Sequence, residues 1–193
     1  MGCHTRSNGI RNILTMKWYL VPLVLGGALM NLNSASAGDW RVILNERLPL
    51  YGHRNWIVVV DAAYPAQISQ GIETILCEDS QIDVVKGVLE ALAGSKHVRP
   101  TLYLDRELDA VSETDAPGIT GYREQLAEVL GSLKKNPLLH ETIIAKLDEA
   151  GKTFKVLMLK TKLTLPYTSI FIQLDCRYWS DGAENTMRKS MGK

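Results

Sequence analysis

Two residues of types that carry out proton transfer, His53 and Asp61, lie at the two ends of one short stretch, YGHRNWIVVVDAAYP (residues 51–65). An imidazole with an ordinary pKa near 6.5 can give or take a proton at neutral pH. A carboxylate at the end of a strand can either face a ligand or cap the loop that follows it. The four apolar residues from Ile57 to Val60 predict a buried strand between the two side chains.

The length of that strand limits what the two residues can do together. A fully extended chain from His53 to Asp61 covers roughly 26 Å, at about 3.3 Å per residue. Two side chains so far apart cannot serve one site within one subunit. We therefore expect either that a turn at Tyr51-Gly52 folds His53 back, or that a neighbouring subunit completes the site.

The elements that must position these residues follow from the hydrophobic pattern. Apolar runs, most of them continuous, predict strands covered on both faces at Ile57–Val60, Ile72–Cys77, Thr101–Leu104, Lys155–Leu159 and Ser169–Leu174. Residues with helical periodicity predict helices at Ile82–Leu92, Tyr122–Leu133 and His140–Ala150. Ser80 is a plausible N-cap of the first helix and Gly94 its end, Asn136-Pro137 breaks the chain before the third helix, and Gly151 ends that helix. This order predicts an α/β fold, a three-layer sandwich with a largely buried, mixed central sheet flanked by helices.

One connection restricts the sheet topology further. Only KTKLTLPY joins the last two predicted strands, and a parallel crossover needs a dozen or more residues. These strands are therefore either antiparallel neighbours or not adjacent. Glu73, a charge inside an apolar run, either faces solvent or projects into a pocket, and Lys160 and Lys162 are expected on a solvated rim.

The N-terminal residues predict export. Residues 16–37, MKWYLVPLVLGGALMNLNSASA, have a basic start at Lys17, an apolar stretch too short for a comfortable membrane span, and a small-residue ending at Ala35-Ser36-Ala37. We expect residues 1–37 to be an N-terminal extension and signal peptide, with Met16 as an alternative start, and cleavage after Ala37. Residues 38–193 then form one domain, and the protein is periplasmic or secreted.

Charge and cysteine content exclude several classes of partner. Without Arg6, Arg11 and Lys17, 19 of the 22 basic residues remain against 21 acidic ones, which gives no electrostatic reason to expect nucleic acid or an anionic membrane as a partner. After cleavage of the signal peptide we expect no stable membrane insertion. No CxxC or HExxH spacing occurs, so we expect neither a metal nor a cofactor. Cys77 and Cys176 would be either two buried free thiols or, in an oxidising compartment, a disulfide.

An ordered set of motifs resembles a known family. GH at His53, DAAYPA at Asp61, GIETI (residues 71–75), HETI at His140 and LPYTSIFI (residues 165–172) look like the D-ribose pyranase and L-fucose mutarotase family over about residues 41–175. The resemblance implies an isomerase for a ribose- or fucose-like monosaccharide and a homo-oligomer, by analogy a decameric ring. Known members act in the cytoplasm, so the predicted signal peptide is a departure.

The resemblance also implies roles for single residues. His53 takes the place of the family's general acid or base, while Asp61, His140 and Tyr167 take the places of sugar-binding residues. Ser169 stands where the family has Asn, and because the amide is lost, the sugar preference stays open. Each residue also has a structural interpretation: His53 as a solvated turn residue, His140 as the exposed start of a helix, and Tyr167 as a turn residue after Pro166.

The chemistry fits these residue types independently of the resemblance. Interconversion of the cyclic forms of a sugar needs a proton delivered to the ring oxygen while another leaves the anomeric hydroxyl, and an imidazole can do either. The alternative is a non-catalytic, exported monosaccharide-binding or structural oligomer of the same fold. A hydrolase with an Asp/His pair is a weaker alternative because no GxSxG motif is present.

Overall fold

The structure is a computed structural model, and it describes residues 39–192. In chain order its elements are α1 (Trp40–Arg47), a 3₁₀ turn (Leu48–Leu50), β1 (Trp56–Val60), β2 (Ile72–Leu76), α2 (Gln81–Gly94), β3 (Val98–Asp105), a 3₁₀ turn (Arg106–Ala110), α3 (Ile119–Leu130), β4 (Lys135–Leu138), α4 (His140–Thr153), β5 (Val156–Lys160), β6 (Ile170–Cys176) and α5 (Asp181–Ser190).

The strands form one mixed sheet in the order β2-β5-β1-β6-β3-β4. β1 pairs in parallel with β5 and antiparallel with β6, so it separates the last two strands. The short connection between β5 and β6 allowed either antiparallel neighbours or strands that are not adjacent. In the structure the two strands are not adjacent. Every residue of β1 is buried. Because β1 lies inside the sheet, its carboxyl end, and Asp61 after it, lie near the middle of one end of the sheet.

Helices cover both faces of the sheet. α1, α2 and α3 enclose one core, in which Val85 packs on the same side as Ile57. α4 encloses the other core, in which Leu147 packs on the same side as Val58. Successive residues of β1 point to opposite faces, and both faces are apolar because both are covered. The predicted three-layer α/β sandwich with a mixed sheet is confirmed.

The three predicted helices are present, with small differences at their ends. Ser80 caps α2 as expected, since its side chain accepts a hydrogen bond from the Asp83 N–H, and Gly94 is the last residue of that helix. Gly151, in contrast, does not end α4, which continues to Thr153. Gly151 is a packing residue, because a Cβ there would lie 2.9 Å from the Ile72 side chain.

The pattern missed three elements and misjudged one strand. α1, β4 and α5 were not predicted, and Pro137, expected to break the chain, lies within β4. β4 is an edge strand, where a proline need not donate to a neighbour. β2 is the other edge strand and is only partly buried, so the expectation of two covered faces is wrong there.

Two questions that the sequence left open are answered by contacts. Glu73 on β2 accepts hydrogen bonds from Arg47 Nε and Nη2 at 2.9 and 3.0 Å, so it forms a two-point ion pair with α1. Cys77 and Cys176 are free thiols, not a disulfide. Burial raises the pKa of Cys77 to about 12, which keeps this thiol protonated at neutral pH.

The predicted signal peptide and Cys3 lie outside the described residues, so the export signal stays a prediction. Within residues 39–192, none of the helices combines the length and the apolar character that crossing a bilayer requires.

Gly71, directly before β2, packs so closely against other backbone that a larger residue there should destabilise the protein. A Cβ on Gly71 would lie 2.2 Å from the carbonyl oxygen of Gly151 and 2.4 Å from that of Phe154, and both atoms are backbone that cannot rotate away. Gly71→Ala is therefore expected to lower the free energy of unfolding by about 2 to 3 kcal/mol, as overpacking does. Urea denaturation would measure it, with Gly94→Ala, where nothing lies within 4 Å of the new Cβ, as the control. Equal stability of the two variants would contradict the close approach of β2 to the end of α4.

Candidate functional site

Asp61 and Ser169 meet where β1 ends and β6 begins. The antiparallel pairing of Val59 with Ile170 brings these chain ends together, and the Ser169 hydroxyl donates to Asp61 Oδ2 at 3.1 Å. Asp61 Oδ1 accepts the Ala63 N–H at 2.9 Å. The carboxylate thus caps its own loop through one oxygen, as one of the two interpretations expected, and accepts a hydrogen bond from Ser169 through the other. That Asp61 faces a ligand stays a prediction.

A buried polar network holds the loop that carries Tyr167 and Ser169. The Tyr122 hydroxyl donates to the Thr168 carbonyl at 2.8 Å, and Gln81 Nε2 donates to the same oxygen. Gln81 Oε1 lies 2.9 Å from the hydroxyl of Thr161, which also lies 3.0 Å from the Val60 carbonyl. The loop is therefore tied to the end of β1, and its side chains are held in place by groups behind them.

Tyr167 adopts a backbone conformation that is unusual for its type. Its φ is +57°, in the left-handed region that a tyrosine rarely occupies. The ring is 40% exposed and meets the ring of His140 edge-on, with 5.5 Å between the centroids. Strain of this kind persists only where the surrounding structure enforces it, and here the buried network behind Thr168 does so.

His140 is the first residue of α4, and its position depends on the neighbouring strand. β4 pairs in parallel with β3, with Leu138 opposite Asp105, so the chain enters α4 beside the end of β3. The Glu107 carboxylate accepts the His140 backbone N–H, with both oxygens at 3.1 Å. Glu107 thus replaces the missing side-chain cap of Leu139 and complements the helix dipole.

Asp105, the last residue of β3, lies behind His140. It is 2% exposed, and its Oδ2 is 3.1 Å from His140 Nδ1. The ring is not aligned for a hydrogen bond in this geometry, and neither Asp105 oxygen has another partner. Burial raises the pKa of Asp105 to about 6, while the adjacent His140 ring opposes that rise.

Tyr64 and Lys160 border the same end of the sheet. The Tyr64 ring packs against Phe171, and its hydroxyl is buried without a hydrogen-bond partner. Lys160 donates from Nζ to the Tyr64 carbonyl at 2.5 Å, so it is not a solvated rim residue, whereas Lys162 pairs with Glu78 at the surface. Burial raises the pKa of the Tyr64 phenol, which therefore stays neutral.

His53 does not join this cluster within one chain. It lies in the turn before β1, at the end of the sheet opposite to Asp61. There the Arg54 N–H donates to the Leu174 carbonyl and fixes the chain. Its side chain is 57% exposed, and Nε2 lies 3.6 Å from Asp175 Oδ1. His53 borders a groove of about 840 Å³ that runs along α4 from Glu141 to Phe154. The turn at Gly52 does not fold it back towards Asp61.

The structure thus brings together four of the five predicted site residues, namely Asp61, His140, Tyr167 and Ser169. Sequence reasoning missed Asp105, which like Asp61 is a carboxylate directly after a predicted strand but is followed by the charged residues of a turn. The cluster combines groups of types that can bind hydroxyls with an imidazole that can move a proton. Among residues 39–192, no group of three or more His, Cys, Asp or Glu side chains is placed to hold a metal ion.

Comparisons with known proteins find relatives by structure only. No protein-family model and no curated protein matches the sequence. RbsD of Bacillus subtilis, complexed with D-ribose, has a TM-score of 0.50 and 19% identity, covering 69% of this chain and 91% of RbsD. A fucose mutarotase of Streptococcus pneumoniae in complex with L-fucose has a TM-score of 0.43 and 21% identity, covering 67% and 89%. FucU of Bifidobacterium longum has a TM-score of 0.45 and 13% identity, covering 69% and 94%.

The likeness to RbsD is one of fold. The mixed six-stranded sheet with helices on both faces is the architecture that this chain shares with RbsD, and the resemblance predicted from the sequence motifs is confirmed at that level. The bound D-ribose is a property of RbsD, and a shared fold does not by itself transfer a ligand or an activity to this chain.

Proposed function

We propose that this protein interconverts the cyclic forms of a monosaccharide, either its anomers or its pyranose and furanose forms, by general acid–base catalysis. One observation carries the proposal: Asp61, His140 and the loop with Tyr167 and Ser169 meet at one end of the sheet, although they come from three separate parts of the chain. RbsD, which shares the fold, is complexed with D-ribose, and this supports a sugar as the ligand.

The residue types match the demands of this reaction. Asp61 and Ser169 can hold sugar hydroxyls, and the exposed Tyr167 ring offers an apolar face and a phenol. The reaction opens the ring when O5 receives a proton and the anomeric hydroxyl loses one. The free aldehyde then recloses on its other face or through another hydroxyl. General acid–base groups typically contribute about 10²–10⁴-fold to such a step.

His53 would take part as a residue of a second copy of the chain. Within one chain it lies at the far end of β1 from Asp61, so only a neighbouring subunit can bring it to the cluster. This proposal implies a homo-oligomer in which one copy contributes His53 and the other contributes the remaining groups.

The place of action follows from the predicted signal peptide. With cleavage after Ala37, the protein would act on sugars outside the cytoplasm, in the periplasm or the medium, before their uptake.

Exchange spectroscopy tests the proposal directly. Saturation transfer between anomer signals of ribose, fucose and galactose should show faster exchange with the wild-type protein for at least one sugar. Asp61→Asn should reduce that acceleration by at least about tenfold, because the amide cannot replace a charged acceptor for sugar hydroxyls. Asp109→Asn, at an exposed position on the 3₁₀ turn after β3, is the matched control and should leave the rate unchanged.

Two results would contradict the proposal. No acceleration with any sugar, combined with chemical-shift changes that show binding, would identify a non-catalytic sugar-binding protein of the same fold. Acceleration that Asp61→Asn leaves unchanged would move the reaction away from this cluster.

A further inference from the structure

We propose that His140 and Asp105 of one chain form a proton-transfer pair, in which His140 Nε2 meets the sugar and Asp105 is a positioning residue behind the ring. The inference depends on the proposed function and deepens it. His140 then acts as a catalytic residue and not only as a sugar-binding one.

The burial of Asp105 is the first argument. A carboxylate that is 2% exposed and has no hydrogen-bond partner for either oxygen is costly, and such groups are rare in folded proteins. Its Oδ2 lies 3.1 Å from His140 Nδ1, and that atom is also buried without a partner. Two unpaired buried atoms of complementary type, at hydrogen-bond distance, need only a rotation of the ring to pair. Catalytic hydrogen bonds are often misaligned until the ligand binds.

The exposure of His140 gives the direction of the pair. One third of its side chain is exposed, yet Nδ1 is buried, so the exposed surface belongs to the rest of the ring. Once Asp105 accepts a hydrogen bond from the Nδ1–H, Nε2 carries the lone pair and can act as a base. The Tyr167 ring, edge-on to His140, marks the side on which a ligand would lie.

The other ionisable groups around the pair are mostly carboxylates. Asp61 and Glu107 add negative charge near Asp105, and Glu107 also binds the backbone N–H of His140. Tyr64 stays neutral, and Lys160, at the end of β5, is engaged by the Tyr64 carbonyl. Asp105, on the buried side of the ring, is therefore the carboxylate placed to stabilise an imidazolium formed during the reaction.

The proton balance of the step is complete. His140 Nε2 takes the proton of the anomeric hydroxyl, the C1–O1 bond becomes the aldehyde double bond, and the C1–O5 bond breaks. O5 takes a proton from the acid on the opposite side, which is His53 of a second copy in the proposed function. Ring closure reverses both transfers, so neither a cofactor nor a net proton is consumed.

Nitrogen NMR of the histidine rings tests the pair without any sugar. The neutral His140 ring, assigned by the signal lost in His140→Gln, should carry its proton on Nδ1 in the wild type, because the Asp105 carboxylate 3.1 Å away attracts a proton there even before the ring rotates into an aligned hydrogen bond. Asp105→Asn retains an acceptor oxygen and should keep that tautomer, whereas Asp105→Leu removes it and should shift the proton to Nε2. A wild-type ring protonated on Nε2, or a tautomer that Asp105→Leu leaves unchanged, would overturn the inference.

Sugar-exchange kinetics supply the second readout. Asp105→Leu should lower kcat by about 10- to 100-fold, the usual effect of losing a group that orients a functional histidine, with KM changed less than about threefold. An unchanged kcat in Asp105→Leu would overturn the inference while leaving the proposed function intact. No exchange in the wild type would instead overturn the proposed function.

Discussion

Asp105→Asn is expected to stabilise the protein at pH 8, by about 2 kcal/mol in the free energy of unfolding, even though it should impair the reaction. The wild-type carboxylate is buried without a hydrogen bond, and an uncharged amide of the same shape avoids most of that cost. A purely structural residue would show the opposite result, because its replacement would destabilise the fold. Gains in stability on loss of a functional group are common at active sites.

The sign of the pH dependence follows from the raised pKa. Asp105 has a pKa of about 6 in the folded protein, above its ordinary value of 3.8, because burial disfavours the charged form. The folded state therefore binds more protons than the unfolded state between about pH 4 and pH 6. Wild-type stability should fall as the pH rises through that window, and the loss is complete above it.

Urea denaturation at pH 4, 6 and 8 would measure this effect. The difference between Asp105→Asn and the wild type should be near zero at pH 4 and should reach its full value at pH 8. The exposed Asp109→Asn changes the net charge equally and should show no such trend. A wild-type protein that is more stable than Asp105→Asn at pH 8 would indicate that a charged Asp105 is stabilised by His140 in the resting protein.

The sequence was sufficient where burial and chain direction determine the structure. The apolar, β-branched run from Ile57 to Val60 is typical of a strand that is covered on both faces, and the short connection before β6 excludes a parallel crossover. Both inferences concern a single segment and its immediate neighbours. For the same reason, the placement of Asp61 at the end of a buried strand could be predicted.

Asp105 was missed because its environment depends on contacts that are distant in sequence. Its local context, LYLDREL, reads as a strand that ends in a solvated charged turn. The carboxylate becomes buried only because β4 pairs beside β3 and directs α4 over its end. β4 itself, with Lys135 and Pro137 in four residues, has no strand pattern, since an edge strand is held by one neighbour.

The loop before β6 shows a second limit of prediction from sequence. The left-handed conformation of Tyr167 has no local signal, because no glycine or asparagine stands at that position. It depends on Gln81 and Tyr122, which bind the Thr168 carbonyl from two different helices. The orientation of Tyr167 towards His140 therefore required the tertiary structure.

Mixing two inactive variants should restore activity if His53 acts from a second copy. His53→Ala retains an intact cluster of Asp61, His140 and Tyr167, and His140→Gln retains an intact His53. Oligomers assembled from equal amounts of the two, and isolated through a different tag on each, should recover about a quarter of the wild-type exchange rate per site. In a symmetric assembly, random mixing gives that share of interfaces the two functional parts.

A second mixture controls for recovery by other routes. His140→Gln and Asp61→Asn both damage the cluster of a single chain, so no interface in their mixed oligomers has an intact cluster, and no recovery is expected. Recovery only in the first mixture would place His53 opposite the cluster of a neighbouring copy. Its absence from verified mixed oligomers would leave His53 as a surface residue beside Asp175, and full activity of His53→Ala alone would do the same. The proton for O5 would then have to come from a group of the cluster itself, and the hydroxyl of Tyr167, whose ring meets His140, is the donor to test next.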